Sequence, residues 1–234
     1  MNTGPAPPVA LVIDDEVPMR RFLRTGLESQ GYRLVEAPTG SEGLAQAATR
    51  SPDIVLLDLG LPDIDGLEVV KRLREWSSIP VIVLSARGQE RDKILALDAG
   101  ADDYVTKPFS MGELLARMRA ALRHRARIET GEETSAFETE GLRVDLAMRQ
   151  VLVSGREVRL TPIEYRLLST LARHAGRVLT HAFLLREVWG PGYTARNHYL
   201  RVYMAQLRHK LEANPARPRL LLTEPGVGYR LRSE

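Results

Sequence analysis

Asp14, Asp15 and Asp58 offer carboxylates, Ser85 a hydroxyl and Lys107 an ammonium. Each stands at the end of a short apolar run that reads as a strand: 9–13, 54–57, 81–84 and 104–106. Clustered carboxylates repel one another and resist ionisation unless a cation joins them. Oxygen donors without Cys or His suit a hard ion, Mg2+, which keeps several waters and takes few protein oxygens. Asp15 and Asp58 are the expected direct ligands, Asp14 acts partly through water, and the Gly60 carbonyl adds a backbone oxygen. Such a site suits phosphoryl transfer to a carboxylate, with Asp58 as nucleophile. The metal and Lys107 would neutralise charge on the transferring group. Ser85 would donate a hydrogen bond to the acyl phosphate. No base for water attack is recognisable, so the phosphoryl group should persist, and the chain reads as a switch rather than an enzyme.

These residues meet only if the strands are parallel and end on one edge. Asp53-Ile54-Val55-Leu56-Leu57-Asp58 and Val81-Ile82-Val83-Leu84 are continuous apolar runs, the pattern of strands buried on both faces. Helical spacing follows each strand: Phe22, Leu23 and Leu27; the Ala-rich stretch 41–49; Val69, Val70 and Leu73; 90–99 before Gly100; and 111–127. Five strands alternating with five helices specify an α/β, doubly wound parallel sheet of flavodoxin-like kind, order 2-1-3-4-5. Ligands of such sheets bind beyond the carboxyl ends of the strands.

Charge divides the chain. Residues 1–127 carry 17 Lys and Arg against 18 Asp and Glu, 128–140 carry five Glu and no base, and 141–234 carry 16 bases against 7 acids. The basic end predicts a polyanionic partner. The acidic stretch 128–140 predicts a linker, and the Pro-rich residues 1–8 predict a flexible tail. There is no cysteine, which fits a reducing cytoplasm. No apolar run is long enough to insert in a membrane.

The basic end, 141–234, predicts an α+β domain. Leu142, Val144, Leu146, Val151, Val153, Val158 and Leu160 alternate as short antiparallel strands, with Ser154-Gly155 as a turn. Thr161-Pro162-Ile163-Glu164 predicts a capped helix start, and Thr180 a second. A third helix runs from about 195 to 212. Its core stripe is Leu200, Met204, Leu207 and Leu211. His198, Arg201, Ala205 and Arg208 form another face that could enter a major groove, with Ala205 allowing close approach. Arg201 is the best base reader. Asn197, His198 and Arg208 could contact bases or phosphates, and Lys210 phosphate. Residues 220–231 predict a terminal hairpin.

Asp14-Asp15, Asp58, Ser85 and Lys107-Pro108 resemble the receiver domain of two-component response regulators over residues 9–127. Thr161-Pro162-Ile163-Glu164-Tyr165 and Gly226-Val227-Gly228-Tyr229-Arg230 resemble the winged helix-turn-helix DNA-binding domain of the OmpR/PhoB-type subfamily over 141–232. The resemblance implies that Asp58 takes its phosphoryl group from a sensor histidine kinase, that the Lys107–Pro108 peptide is cis, and that Tyr104 switches with Ser85. It implies a homodimer face of Lys93, Ile94, Leu97, Asp98, Asp103, Glu113, Ala116, Arg117 and Arg119. There Lys93 would meet Glu113, Asp98 would meet Arg119 and Asp103 would meet Arg117 across a two-fold axis. It also implies promoter DNA and RNA polymerase as partners. Pro225 departs from the arginine that many relatives place in the wing, so wing contact would fall to Arg230 or backbone donors. Leu59-Gly60-Leu61-Pro62-Asp63, Arg21-Phe22-Leu23-Arg24-Thr25 and 198–204 resemble a branch that controls high-affinity potassium-transport operons. Two rival readings stand beside this one. The first is a phosphorylation-independent DNA-binding dimer. The second is an aspartyl phosphotransferase or phosphatase, for which Asp63-Ile64-Asp65-Gly66 is the only hint.

Overall fold

A computed structural model describes residues 7–86, 90–129, 136–193 and 196–233. The chain forms two compact units, Met1–Arg125 and Ala126–Glu234. Most of the tail expected at 1–8 lies outside the described residues.

The first unit alternates strands and helices: β1 (Val9–Ile13), α1 (Val17–Glu28), β2 (Arg33–Ala37), α2 (Gly40–Arg50), β3 (Ile54–Asp58), α3 (Gly66–Arg74), β4 (Val81–Ser85), α4 (Glu90–Asp98), β5 (Asp103–Thr106) and α5 (Met111–Glu129). The strands pair in parallel in the order β2-β1-β3-β4-β5. Every residue of β1, β3 and β4 is buried. Successive side chains alternate between faces, so one apolar run feeds two cores. Leu11, Ile13, Val55, Leu57, Val81 and Val83 pack with Val69, Val70 and Leu73. Ala10, Val12, Ile54, Leu56, Ile82 and Leu84 pack with Leu23, Leu27, Leu114 and Met118. Phe22 departs from expectation: it is exposed, its ring 6.2 Å from Phe109.

The second unit holds β6 (Ala136–Thr139), β7 (Leu142–Asp145), β8 (Gln150–Val153), β9 (Arg156–Glu157), α6 (Pro162–Arg173), β10 (Leu179–Thr180), α7 (His181–Trp189), a 3₁₀ turn (Pro191–Tyr193), α8 (Asn197–Leu211), β11 (Leu221–Glu224) and β12 (Gly228–Leu231). The sheets are β6-β7-β8-β9 and β10-β12-β11, all antiparallel. The linker expected over 128–140 is therefore shorter. Residues 128 and 129 end α5, and Ala136–Thr139 pairs with β7. The intervening 130–135 lie outside the described residues. The acidic composition concealed a strand because its buried side chains, Phe137 and Thr139, alternate with exposed Glu138.

Helix α6 starts in a capping box. The Glu164 N–H donates to Thr161 Oγ1 (3.4 Å), and the Thr161 N–H donates to Glu164 Oε2 (2.6 Å). Lys210 Nζ, on α8, donates to that same oxygen at 2.7 Å. Burial opposes ionisation of Glu164, but the Lys210 ammonium and the Thr161 donors outweigh it, so its pKa lies below the ordinary carboxylate value. A depressed folded-state pKa contributes stability above the unfolded pKa of about 4.3, lost as pH falls through the folded value. Substituting Glu164→Gln is expected to destabilise this unit by about 1–2 kcal/mol at neutral pH, because Lys210 keeps some solvent. The difference from wild type should vanish at acid pH. Urea unfolding read by Trp189 fluorescence in a Trp76→Phe background measures it.

Candidate functional site

Strand ends bring the predicted residues to one edge of the first unit. Asp14 follows β1, Asp58 closes β3, Ser85 closes β4 and Lys107 follows β5. The register pairs Asp58 with Leu84 and Ser85 with Thr106. Lys107 is locked to the neighbouring strand end by its N–H, which donates to the Ser85 carbonyl at 2.9 Å. The Lys107–Pro108 peptide is cis.

Lys107 Nζ lies 2.9 Å from Asp14 Oδ2 and 2.8 Å from Asp58 Oδ1. One ammonium thus bridges two carboxylates that are far apart in the chain. Glu16 Oε2 is a third, looser neighbour at 3.8 Å. The other oxygen of Asp58 accepts from the Gly60 N–H at 2.6 Å, and Asp14 Oδ1 accepts from the Glu16 N–H at 2.8 Å. Burial pushes the Asp14 carboxyl up; hydrogen bonds from Lys107 and Glu16 offset only part of that. Burial also opposes the charge of Lys107, but Asp58 and Asp14 outweigh it and raise its pKa. The ammonium therefore stays charged at neutral pH.

Asp15 is exposed beside this pair, and Gly60 is exposed at the rim. Among the described residues no group of three His, Cys, Asp or Glu is gathered tightly enough to hold a metal ion by itself. The donors are all oxygens, two of them already within reach of one cation. That fits an ion that keeps several waters and takes few protein ligands, the habit of Mg2+. Ser85 and Tyr104 are both buried, and Lys93 Nζ lies over the Tyr104 ring, 5.9 Å from its centroid.

The loop beyond Asp58 is built to let α3 approach. A Cβ on Gly66 would stand 2.6 Å from the Asp58 carbonyl oxygen. Asp65 caps α3 by accepting from the Leu67 N–H at 2.8 Å. Asp63 accepts from the N–H groups of Gly40 (2.8 Å) and Ser41 (2.9 Å) at the start of α2. Those hydrogen bonds hold the Asp63 carboxyl far below the ordinary range. The two acids that hinted at a phosphatase are therefore spent on helix starts.

The residues of the predicted dimer face lie on α4, β5 and α5. Arg117 is engaged by two acids of that face within this chain. Its Nη1 holds both oxygens of Asp103 in the same chain, at 2.9 and 2.8 Å, and its Nη2 holds Glu113 at 2.9 Å. The short β5–α5 connection folds Arg117 back over the start of β5. Asp98, Glu113, Ala116 and Arg119 are exposed, and Lys93, Ile94 and Leu97 are half-buried. Leu95, which the sequence reading passed over, is exposed as well.

In the second unit, α8 buries Leu200, Met204, Leu207 and Leu211. Asn197, His198, Arg201 and Ala205 stand exposed, together with Tyr199 and Val202, which sequence reasoning missed. Three basic residues predicted for DNA are committed inside the unit. Arg208 donates to the Leu221 carbonyl (2.6 Å) and Thr223 Oγ1 (2.7 Å). Lys210 holds Glu164, and Arg230 pairs with Glu224 across the terminal hairpin. That hairpin turns at 225–227, where Gly226 has φ +70° and the Val227 N–H donates to the Glu224 carbonyl at 3.0 Å.

The response regulator receiver domain family matches residues 10–119, and the family "Transcriptional regulatory protein, C terminal" matches 155–231. These two domains in one chain define a response regulator that acts on transcription. The KDP operon transcriptional regulatory protein KdpE of Escherichia coli is 55% identical over 94% of this chain and 97% of its own. KdpE of Mycobacterium tuberculosis is 53% identical over 95% and 98%. The crystal structure of response regulator DrrB, a Thermotoga maritima OmpR/PhoB homolog, is similar at 29% identity over 96% of this chain and 99% of that one, TM-score 0.48. The chain belongs to the response regulators that join a receiver domain to this C-terminal transcriptional regulatory domain, with KdpE proteins among its relatives.

Proposed function

We propose that Asp58 is the phosphoacceptor of a Mg2+-dependent switch that a sensor histidine kinase sets and promoter DNA reads. The observation that carries this reading is the Lys107 ammonium bridging Asp14 and Asp58 at 2.9 and 2.8 Å. Asp58 Oδ1 forms a bond to the donor's phosphorus while the bond from phosphorus to the leaving group breaks. The leaving group keeps that electron pair. Lys107 then faces the phosphoryl oxygens and Ser85 donates to one of them. Asp15, Asp58 and the Gly60 carbonyl, with Asp14 acting through water, would hold Mg2+, which would supply positive charge against the transferring group. The commitment of Asp63 and Asp65 to helix starts favours a switch over a phosphatase with turnover.

Phosphate on Asp58 adds negative charge and biases Tyr104 and Ser85 toward the form that dimerises. The dimer uses Ile94, Leu95, Leu97 and Ala116 as its apolar strip. Lys93–Glu113 and Asp98–Arg119 pair between copies, and Arg117 braces Asp103 within each. A self-complementary patch of this kind suits an isologous dimer. Two copies of α8 then read adjacent half-sites through Asn197, His198, Arg201 and Ala205, and RNA polymerase is engaged from there. The protein works in the cytoplasm. From its KdpE relatives we infer that its target is a KDP operon, and from the sequence resemblance that the operon serves potassium transport.

Incubation with a small acyl-phosphate donor and Mg2+ tests the reading, with intact mass, oligomeric state and DNA mobility followed together. The expected result is one phosphoryl group per chain, a dimer, and tighter retention of KDP promoter DNA. Continuous release of inorganic phosphate without a stable adduct would sink it.

A further inference from the structure

The Asp14 main chain is held where the sheet no longer holds it. The ladders of β1 with β2 and β3 stop at Ile13. The Asp14 N–H still donates to the Ala37 carbonyl at 3.1 Å. Its carbonyl is met instead by the Arg20 guanidinium, Nη1 to O 2.6 Å. Arg20 lies in the early part of α1, and its side chain reaches back toward the helix N-terminus, as helical side chains do.

A cation in that place runs against the helix dipole, and α1 carries no acid in its first turn to offset it. The compensating charge comes from β2: Glu36 Oε2 is 3.8 Å from Arg20 Nε. Arg24 also binds Glu36, at 2.7 Å, but it is exposed and does so from the solvent side of the pair. Two arginines thus share one glutamate, and of the two it is Arg20 that reaches the Asp14 carbonyl. What the contact yields is a fixed carbonyl at the Asp14–Asp15 turn. That turn decides that Asp14 faces Lys107 while Asp15 faces water.

We infer that Arg20 is a positioning residue for the divalent cation: by gripping the Asp14 carbonyl it holds the Asp14 and Asp15 carboxylates as Mg2+ binding requires. The inference rests on the reading of this edge as a Mg2+-dependent phosphoacceptor site. Arg20 touches neither the cation nor the phosphoryl group. Groups that orient metal ligands typically change affinity by about 10–100-fold when removed.

Mg2+ affinity is measured by calorimetric titration of the full chain as wild type, R20M, R20K and R24M. R20M is expected to bind Mg2+ roughly 10-fold more weakly, and R24M as wild type does. With an acyl-phosphate donor, R20M should need more Mg2+ for half-maximal phosphorylation yet reach the wild-type maximal rate. A merely structural role would not produce that split. R20K, which keeps the charge and one donor direction, should fall between, and it carries the test if R20M does not fold. Unchanged Mg2+ affinity in R20M, or an equal loss in R24M, overturns the role of Arg20. Failure of the wild type to bind Mg2+ at all overturns the underlying reading instead.

Discussion

Substitution Asp58→Asn is expected to reduce phosphorylation from one group per chain to none, while the fold survives. Asn keeps the shape of the side chain and an oxygen that can accept from the Gly60 N–H, now at 2.6 Å from Asp58 Oδ2. It removes the carboxylate proposed as nucleophile, which Lys107 reaches at 2.8 Å. Asp14 is the less accessible of the two acids to a phosphodonor, its side chain 1% exposed against 11% for Asp58. Losing one of two buried acids also relieves repulsion, since Asp58 is among the groups that push the Asp14 carboxyl up. The variant should therefore unfold no earlier than wild type by circular dichroism. Intact mass after incubation with the acyl-phosphate donor and Mg2+ reads the chemistry. Promoter occupancy in cells then separates the switch from a phosphate-independent dimer: D58N occupancy equal to wild type would favour the dimer.

Why Asp58 could be picked out beforehand has a physical answer. β1, β3 and β4 are buried on both faces, so their sequences are continuous apolar runs, and the first polar residue after each run marks the sheet edge. Parallel pairing then gathers those residues. Arg20 gave no such signal. Its partner Glu36 lies on β2, away from α1 in the sequence, and one arginine among Arg20, Arg21 and Arg24 looks like the next. The two-residue strand β10 exists only through pairing with β12, and no local pattern announces it, whereas β9 follows the Ser154-Gly155 turn. The face of α4 to α5 illustrates a further limit. Spacing does not show that Asp103 and Arg117 meet within one chain, since that depends on where α5 sets Arg117 against β5.

Basic side chains on α8 separate by what the core has already claimed, and this predicts opposite failures for two arginines. Arg201→Ala removes an exposed guanidinium suited to guanine, a contact worth about 1–3 kcal/mol, or roughly 5- to 150-fold in affinity. Its thermal stability should match wild type, because Arg201 lies exposed on the face away from the core stripe. Discrimination between the promoter and mutated half-sites should fall with it. Arg208→Ala instead leaves the Leu221 carbonyl and Thr223 without the donor that now reaches both at 2.6 and 2.7 Å. That ties α8 to β11, so the expected loss is about 1–3 kcal/mol of unfolding free energy, with DNA affinity falling only as the folded fraction falls. Salt titration distinguishes a phosphate role: removing a phosphate contact lowers the slope of log affinity against log salt by about 1. R208A at full folding should keep the wild-type slope. A reduced slope with unchanged stability would return Arg208 to the DNA interface and undo this division of labour along the helix.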